Sequence, residues 1–461
     1  MAASKFLAAC LGLAAAVSLT EQFGVPAASA RSAPTASQTS SSSPQQSQNQ
    51  PAPHHVQIEV DDDSAATGLT QAEAAIDKKD YAAAETLLHK FLAHDATSYV
   101  AWFDLGFVEN ALGKMEESIA AYRKSVTANP SVFESNLNLG LQLAKTGAPE
   151  AEQFLRAATG LTPTSHVAEG QYRAWLSLAQ VLAKSKPDEA LAAYQHAATL
   201  QPKETEPHIS AGLLLEQENK FADAGQEYQQ ALALDPRSSD ALLGLANIYM
   251  RGRRFAEAEN YLRKLLAQHP NSAAIHIQLG RVLAAENKTD AAIVELQAGT
   301  QLAPGDDTAE RDLASLYLSA GKNDLAEAAY RALLAAHPND AELHHGLGKA
   351  LLFQKKSQAA QRELAATVSL DPKLGDAYYD LAFTANDNKD YPTVIRALDA
   401  RAKLLVETPM TYFLRASAYD HLRDFKNASA NYRLFLNHAD EKYPDQEWQA
   451  KHRLIAIDPK K

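Results

Sequence analysis

Eight prolines, Pro130, Pro163, Pro202, Pro236, Pro270, Pro304, Pro338 and Pro372, divide the middle of this chain into segments of nearly equal length. Their gaps are 33, 39, 34, 34, 34, 34 and 34 residues. With 20 prolines in 461 residues, five successive gaps of 34 are not an accident of composition. A period of about 20–50 residues requires an array in which each unit packs mainly on its neighbours, and this excludes a single globular core.

The residues between the prolines define the unit. Twelve positions before them stand Ala151, Ala190, Ala224, Ala258, Ala292, Ala326 and Ala360, with Ser118 in the first. Eight positions before them stand Tyr122, Leu155, Tyr194, Tyr228, Leu262, Leu296, Tyr330 and Leu364. Twenty-four before, in the full-length segments, stand Gly106, Gly212, Ala246, Gly280, Ala314 and Gly348. Alternating small and large slots are what close packing of two helices requires. Tyr228, Ala231 and Leu232 fall at i, i+3 and i+4, and Leu245, Ala246 and Tyr249 at i, i+1 and i+4, so both halves of the unit read as helices. Short polar turns such as Asn219-Lys220 and Gly321-Lys322-Asn323 separate the halves. An Asp-Pro or His-Pro pair then ends the second helix, because proline lacks an N–H and disfavours helix in the residue before it.

The pattern resembles the tetratricopeptide repeat family. Trp102-x2-Leu105-Gly106, Ser118-x3-Tyr122 and Pro130 nearly spell its motif, and Leu313-Ala314-x2-Tyr317, Ala326-x3-Tyr330 and Pro338 do so again. The resemblance implies an all-α, right-handed superhelical α-solenoid of stacked antiparallel helix pairs. Extending outward from the prolines gives about eleven units between Ala65 and Asp440. The first unit has Ala96 in place of the proline, and the one after Pro372 has Val406 there, with Leu398 and Arg401 in altered slots. The 39-residue gap carries an insertion around Thr164–Tyr172, expected as a loop or an extra helical turn. Residues 441–461 read as a capping helix and tail, with Trp448, His452 and Ile455 on one side of the helix.

The N-terminus has the form of a signal peptide over residues 1–30: Lys5, an apolar run Phe6–Leu19, and Ala28-Ser29-Ala30 as a cleavage site. The run is too short to span a bilayer as a stable helix. Cys10, the single cysteine, sits in a lipoprotein-like Leu7-Ala8-Ala9-Cys10, but the apolar stretch continues past it, so lipid anchoring is not expected. Residues 31–64, rich in Ser, Gln and Pro, read as a linker too polar to bury a core, with a short alternating stretch at Val56–Val60. The expected location is therefore outside the cytoplasm, periplasmic or secreted. The net charge of −12 is a poor match for nucleic acid or anionic membrane surfaces.

No catalytic motif is present: no phosphate-binding glycine loop, no G-x-S-x-G and no H-E-x-x-H. Neither an enzyme nor a cofactor is expected. The adjacent pairs His54-His55 and His344-His345 have poor geometry for a metal, so no metal site is expected either. In this family the first helix of each hairpin lines a concave groove. By register, the groove-facing residues include Phe103, Phe107, Leu137, Leu176, Leu213, Ile277 and His345. Its least generic stretch carries Arg251, Arg281, Arg311 and Lys349, then Tyr379, Phe383 and Phe413. One reading has Arg281 and Arg311 clamping an acidic group of a partner peptide, with apolar side chains beside it. The other has these arginines paired within the array, to Glu310 or Asp312. The Lys–Asn pair with which chaperone-binding members clamp a C-terminal carboxylate is missing, since Leu243 precedes Asn247.

These features suit an exported, non-enzymatic scaffold or adaptor that binds a protein or peptide, in a bacterial cell envelope. Two alternatives are a non-catalytic subunit of an envelope enzyme, such as a glycosyltransferase complex, and a self-assembling structural array.

Overall fold

The computed structural model describes residues 66–457. The expected signal segment with Cys10, the linker with Val56–Val60, and residues 458–461 lie outside the described residues. Within them the chain forms 23 helices and no strand. Eleven hairpins follow one another: α1 Ala66–Asp77 with α2 Tyr81–Leu92, α3 Tyr99–Ala111 with α4 Met115–Ala128, and α5 Phe133–Lys145 with α6 Ala151–Thr159. Next come α7 Val167–Leu182 with α8 Pro187–Leu200, α9 Glu206–Gln217 with α10 Phe221–Leu234, and α11 Ser239–Arg251 with α12 Phe255–Gln268. Then follow α13 Ala273–Ala285 with α14 Thr289–Leu302, α15 Asp307–Ser319 with α16 Asn323–Ala336, and α17 Ala341–Phe353 with α18 Ser357–Leu370. The last are α19 Gly375–Asp387 with α20 Tyr391–Ala402 and α21 Pro409–His421 with α22 Phe425–His438, followed by a single helix, α23 Pro444–Ile457. Here the first helix of each pair is called A and the second B. The chain divides between Ile248 and Tyr249 into two compact units. From α1 to α10 and from α12 to α23, each helix packs on the next.

The small and large slots meet as the spacing requires. A methyl group added to Gly106 would come 2.8 Å from the Tyr122 ring, one on Gly212 2.7 Å from Tyr228, and one on Gly280 2.7 Å from Leu296. The large B-helix side chain thus fills the space that the missing Cβ leaves on the A helix. Tyr122, Tyr228, Leu155, Leu262, Leu296 and Leu364 are all fully buried. Every turn between A and B except the one between α7 and α8 ends the first helix with one left-handed residue, Gly113, Asn219 or Gly321 among them. Glycine and asparagine suit that conformation; Arg253 and Lys355 adopt it at a cost of about 1 kcal/mol each.

Two recurrent ties join helices. His208, His276 and His344 each present Nδ1 to a B-helix carboxylate, Glu227, Glu295 and Glu363, at 2.7 Å. In the latter two, Nε2 also faces the carbonyl of the preceding repeat proline at 3.0 Å. Along the B helices, a lysine just before one helix reaches a carboxylate on the previous B helix: Lys114–Glu85, Lys186–Glu152, Lys220–Asp188, Lys288–Glu259, Lys322–Asp290 and Lys356–Glu327. Exposed pairs of this sort contribute about 1 kcal/mol or less each.

The insertion becomes an extra turn on α7, which has 16 residues where α11 has 13. Thr164 is pinned to buried Glu134, donating from its N–H and its hydroxyl at 2.8 Å each, and Gly170 lies against Pro163. At the other end, α23 packs through Ala450, Leu454 and Ile457. The side that carries Trp448 and Ile455 faces water: Trp448 is 61% and Ile455 73% exposed.

Candidate partner-binding cleft

The A helices carry the inner-face positions, and the two units fill them differently. In the N-terminal unit Phe103, Phe107, Leu137 and Leu176 are buried, with the Phe103 ring 5.7 Å from that of Tyr122. These side chains are part of the stack and offer little surface to a partner. Exposure increases further along, where Leu213 is 46% exposed.

In the C-terminal unit the inner face becomes polar. Arg281 Nε on α13 donates to Asp312 Oδ2 on α15 at 2.6 Å. Arg311 Nη2 reaches Asp340, the N-cap of α17, at 2.8 Å. His345 Nε2 lies 2.9 Å from Asp380 Oδ2 on α19. Each basic group is thus matched by a carboxylate one repeat further on. Burial raises the Asp312 carboxyl above its ordinary value despite Arg281. Burial also pushes Asp340 upward, but the hydrogen bond from Arg311 and those from backbone N–H groups hold it below its ordinary value. Of the two sequence readings of Arg281, pairing within the array is the one the geometry contains.

Lys349 is different, having no carboxylate partner among the described residues. It lines a cleft of about 380 Å³ with His345, Tyr379 and Asp380. The far wall is Arg401 and Thr408, with exposed Asp376 at the rim. The wall exists because the link between α20 and α21, residues 403–408, is longer than the four-residue links of the regular repeats. Leu405 anchors this link by packing on Gly375. Arg401 is 8% exposed; its Nη1 donates to the Val406 carbonyl at 3.1 Å, while its buried Nε has no hydrogen-bond partner. No carboxylate pairs with it among the described residues. Burial first, then the Asp380 charge, raises the Tyr379 hydroxyl above its ordinary value, so it remains a hydrogen-bond donor at neutral pH.

Of the residues singled out by register, the cleft therefore gathers His345, Lys349 and Tyr379. Phe383 lies one turn beyond Tyr379 on α19 and is 41% exposed. Phe413 packs against Tyr432 and Phe435 instead. Arg281, Arg311 and Arg251, the last at the end of α11, do not line the cleft. Asp376, Asp380, Arg401 and Thr408 were not anticipated. The only hint of Arg401 in the sequence was an arginine in a slot that elsewhere holds a small residue.

Two tetratricopeptide repeat family models match the chain, one at residues 69–133 and the other at 215–281, 252–313 and 283–352. The chain is built of tetratricopeptide repeats. Repeats of this family mediate protein–protein interactions and are typically non-catalytic. Similar solved structures include YrrB, described as a tetratricopeptide repeat protein with an unusual peptide-binding site (22% identity, TM-score 0.39, covering 41% of this chain and 97% of that one). Others are pilF of Pseudomonas aeruginosa (21%, 0.37, 48% and 99%) and yeast Tom70 (15%, 0.31, 85% and 95%). No curated protein matches the sequence. Among the described residues, no helix of this tetratricopeptide repeat array is long and apolar enough to cross a membrane.

Proposed function

We propose that this chain is an exported, non-enzymatic scaffold that holds a protein or peptide partner in the cleft between α17 and α19, in the assembly of a bacterial cell envelope. The observation that carries the reading is the pair of cations in that cleft, Lys349 and Arg401, which among the described residues lack the carboxylate partner that neighbouring basic groups have. A partner side chain of Asp or Glu supplies that charge, and an apolar residue beside it reaches exposed Phe383. Export rests on the signal-peptide form of residues 1–30.

An array of immobilised random peptides probed with the labelled protein tests the reading. Peptides that pair an acidic with an aromatic or aliphatic residue should be enriched, and Lys349→Glu should abolish their capture. The same peptides recovered by both proteins would overturn it.

A second reading, self-association, is favoured by the exposed Trp448 and Ile455 on the terminal helix α23. Sedimentation at increasing concentration distinguishes the two, because a peptide-binding scaffold stays monomeric.

A further inference from the structure

The junction between the first two hairpins departs from a rule that later junctions keep. In three of those, a B-helix glutamate is held by an arginine one turn on and by the lysine before the next B helix. The sets are Glu152 with Arg156 and Lys186, Glu259 with Arg263 and Lys288, and Glu327 with Arg331 and Lys356. At Glu85 the lysine is kept, Lys114 Nζ lying 2.6 and 2.8 Å from the two carboxylate oxygens. One turn on, however, stands His89 instead of arginine. A second position changes as well. The A-helix residue whose carbonyl accepts the lysine's backbone N–H is buried Leu283 or Leu351 in two of those junctions, and here it is Glu109.

Both changes introduce a metal-ligating group, and the fold brings the two together with the glutamate. Carboxylate oxygens of Glu85 and Glu109 and a ring nitrogen of His89 lie within 4.8 Å of one another. Glu109 is only 4% exposed, and its Oε2 is cut off from water without a hydrogen-bond partner. A carboxylate oxygen in that condition is costly unless something compensates it. The His89 ring is exposed and bonded to no other side chain among the described residues.

We propose that Glu85, His89 and Glu109 form a binding site for a divalent transition cation of the zinc class. One imidazole and two carboxylates fit such an ion, and three protein ligands leave a fourth position for water. Calcium and magnesium, which favour shells made of oxygen alone, fit poorly. Tetrahedral bonds of about 2.1 Å place ligand atoms roughly 3.4 Å apart, a gap the exposed His89 ring closes by rotating. Lys114 uses one lone pair on each Glu85 oxygen, and its exposed side chain can turn to solvent. The ion staples α2 to α3, against the sequence-based expectation that no metal is bound.

The test uses the metal-stripped full chain and zinc chloride alone, followed by calorimetry and by competition with a chromophoric chelator. The wild type should bind, and zinc should raise its melting temperature. His89→Ala and Glu109→Gln should each weaken this site at least tenfold, while Lys114→Met should tighten it. His89 is exposed, so its variant decides the matter even if Glu109→Gln folds poorly. No zinc binding by the wild type, or binding unchanged in His89→Ala, would overturn the proposal. An ion held by His54-His55 would give the second of these results.

Discussion

Arg281 and Asp312 are bound to each other across two successive A helices, Nε to Oδ2 at 2.6 Å, with side chains only 13% and 14% exposed. The guanidinium is part of the stack. Removing one partner leaves a buried, uncompensated charge, so Arg281→Ala should destabilise the C-terminal unit by about 3 kcal/mol. Replacing both, as Arg281→Met with Asp312→Leu, should cost much less. Urea unfolding midpoints of the three variants check this; a single variant within about 0.5 kcal/mol of wild type would contradict it.

Tyr228 sits between two glycines, one on its own hairpin's A helix and one on the next. A methyl group at Gly244 would lie 2.4 Å from the ring, and one at Gly212 would lie 2.7 Å from it. Gly244→Ala should therefore lower stability by about 1–3 kcal/mol through overpacking. Tyr228→Leu should partly rescue it, since leucine fills the same slot at Leu262 and Leu296. Thermal melts of the single and double variants provide the measurement.

Glu327 marks the acid sensitivity of the B-helix ladder. Its hydrogen bond from Lys356, with those from Arg331 and Gln354, outweighs burial and holds the carboxyl at about 2, below its ordinary 4.5. A carboxyl depressed in the folded state contributes stability above its unfolded value and loses it as the proton returns. Glu327→Gln should therefore be less stable than wild type at pH 7, with the difference shrinking as pH falls from 4.5 to about 2. Urea midpoints across that range test the sign; a difference that widens on acidification would refute it.

The repeat prolines and the small–large code made the hairpins legible because packing is local: Gly106 and Tyr122 belong to one unit and meet across one turn. The binding surface was harder to read. Register put Arg281 on the inner face and left Asp312, 31 residues away, as one candidate partner, but whether the arginine pairs or stays open to a ligand is decided only when helices stack. Arg401 was hidden in a degenerate repeat, and the link that makes it a wall follows no periodicity. Glu85, His89 and Glu109 converge from two hairpins, and no short motif joins them.

The signal-peptide form makes a separate prediction. The chain recovered from the host should begin at Arg31 and lie outside the cytoplasmic fraction. Intact mass and N-terminal peptide mapping decide it, and a cytoplasmic chain still starting at Met1 would count against export.

The most direct test of the proposed function is photo-crosslinking in intact cells, with the reactive residue at Tyr379 and, as a control, at the exposed Glu169, outside the cleft. A cleft that holds a partner predicts one specific adduct from position 379, none from position 169, and loss of the 379 adduct in a Lys349→Glu background. No adduct at position 379, or one indifferent to Lys349→Glu, would contradict the assignment.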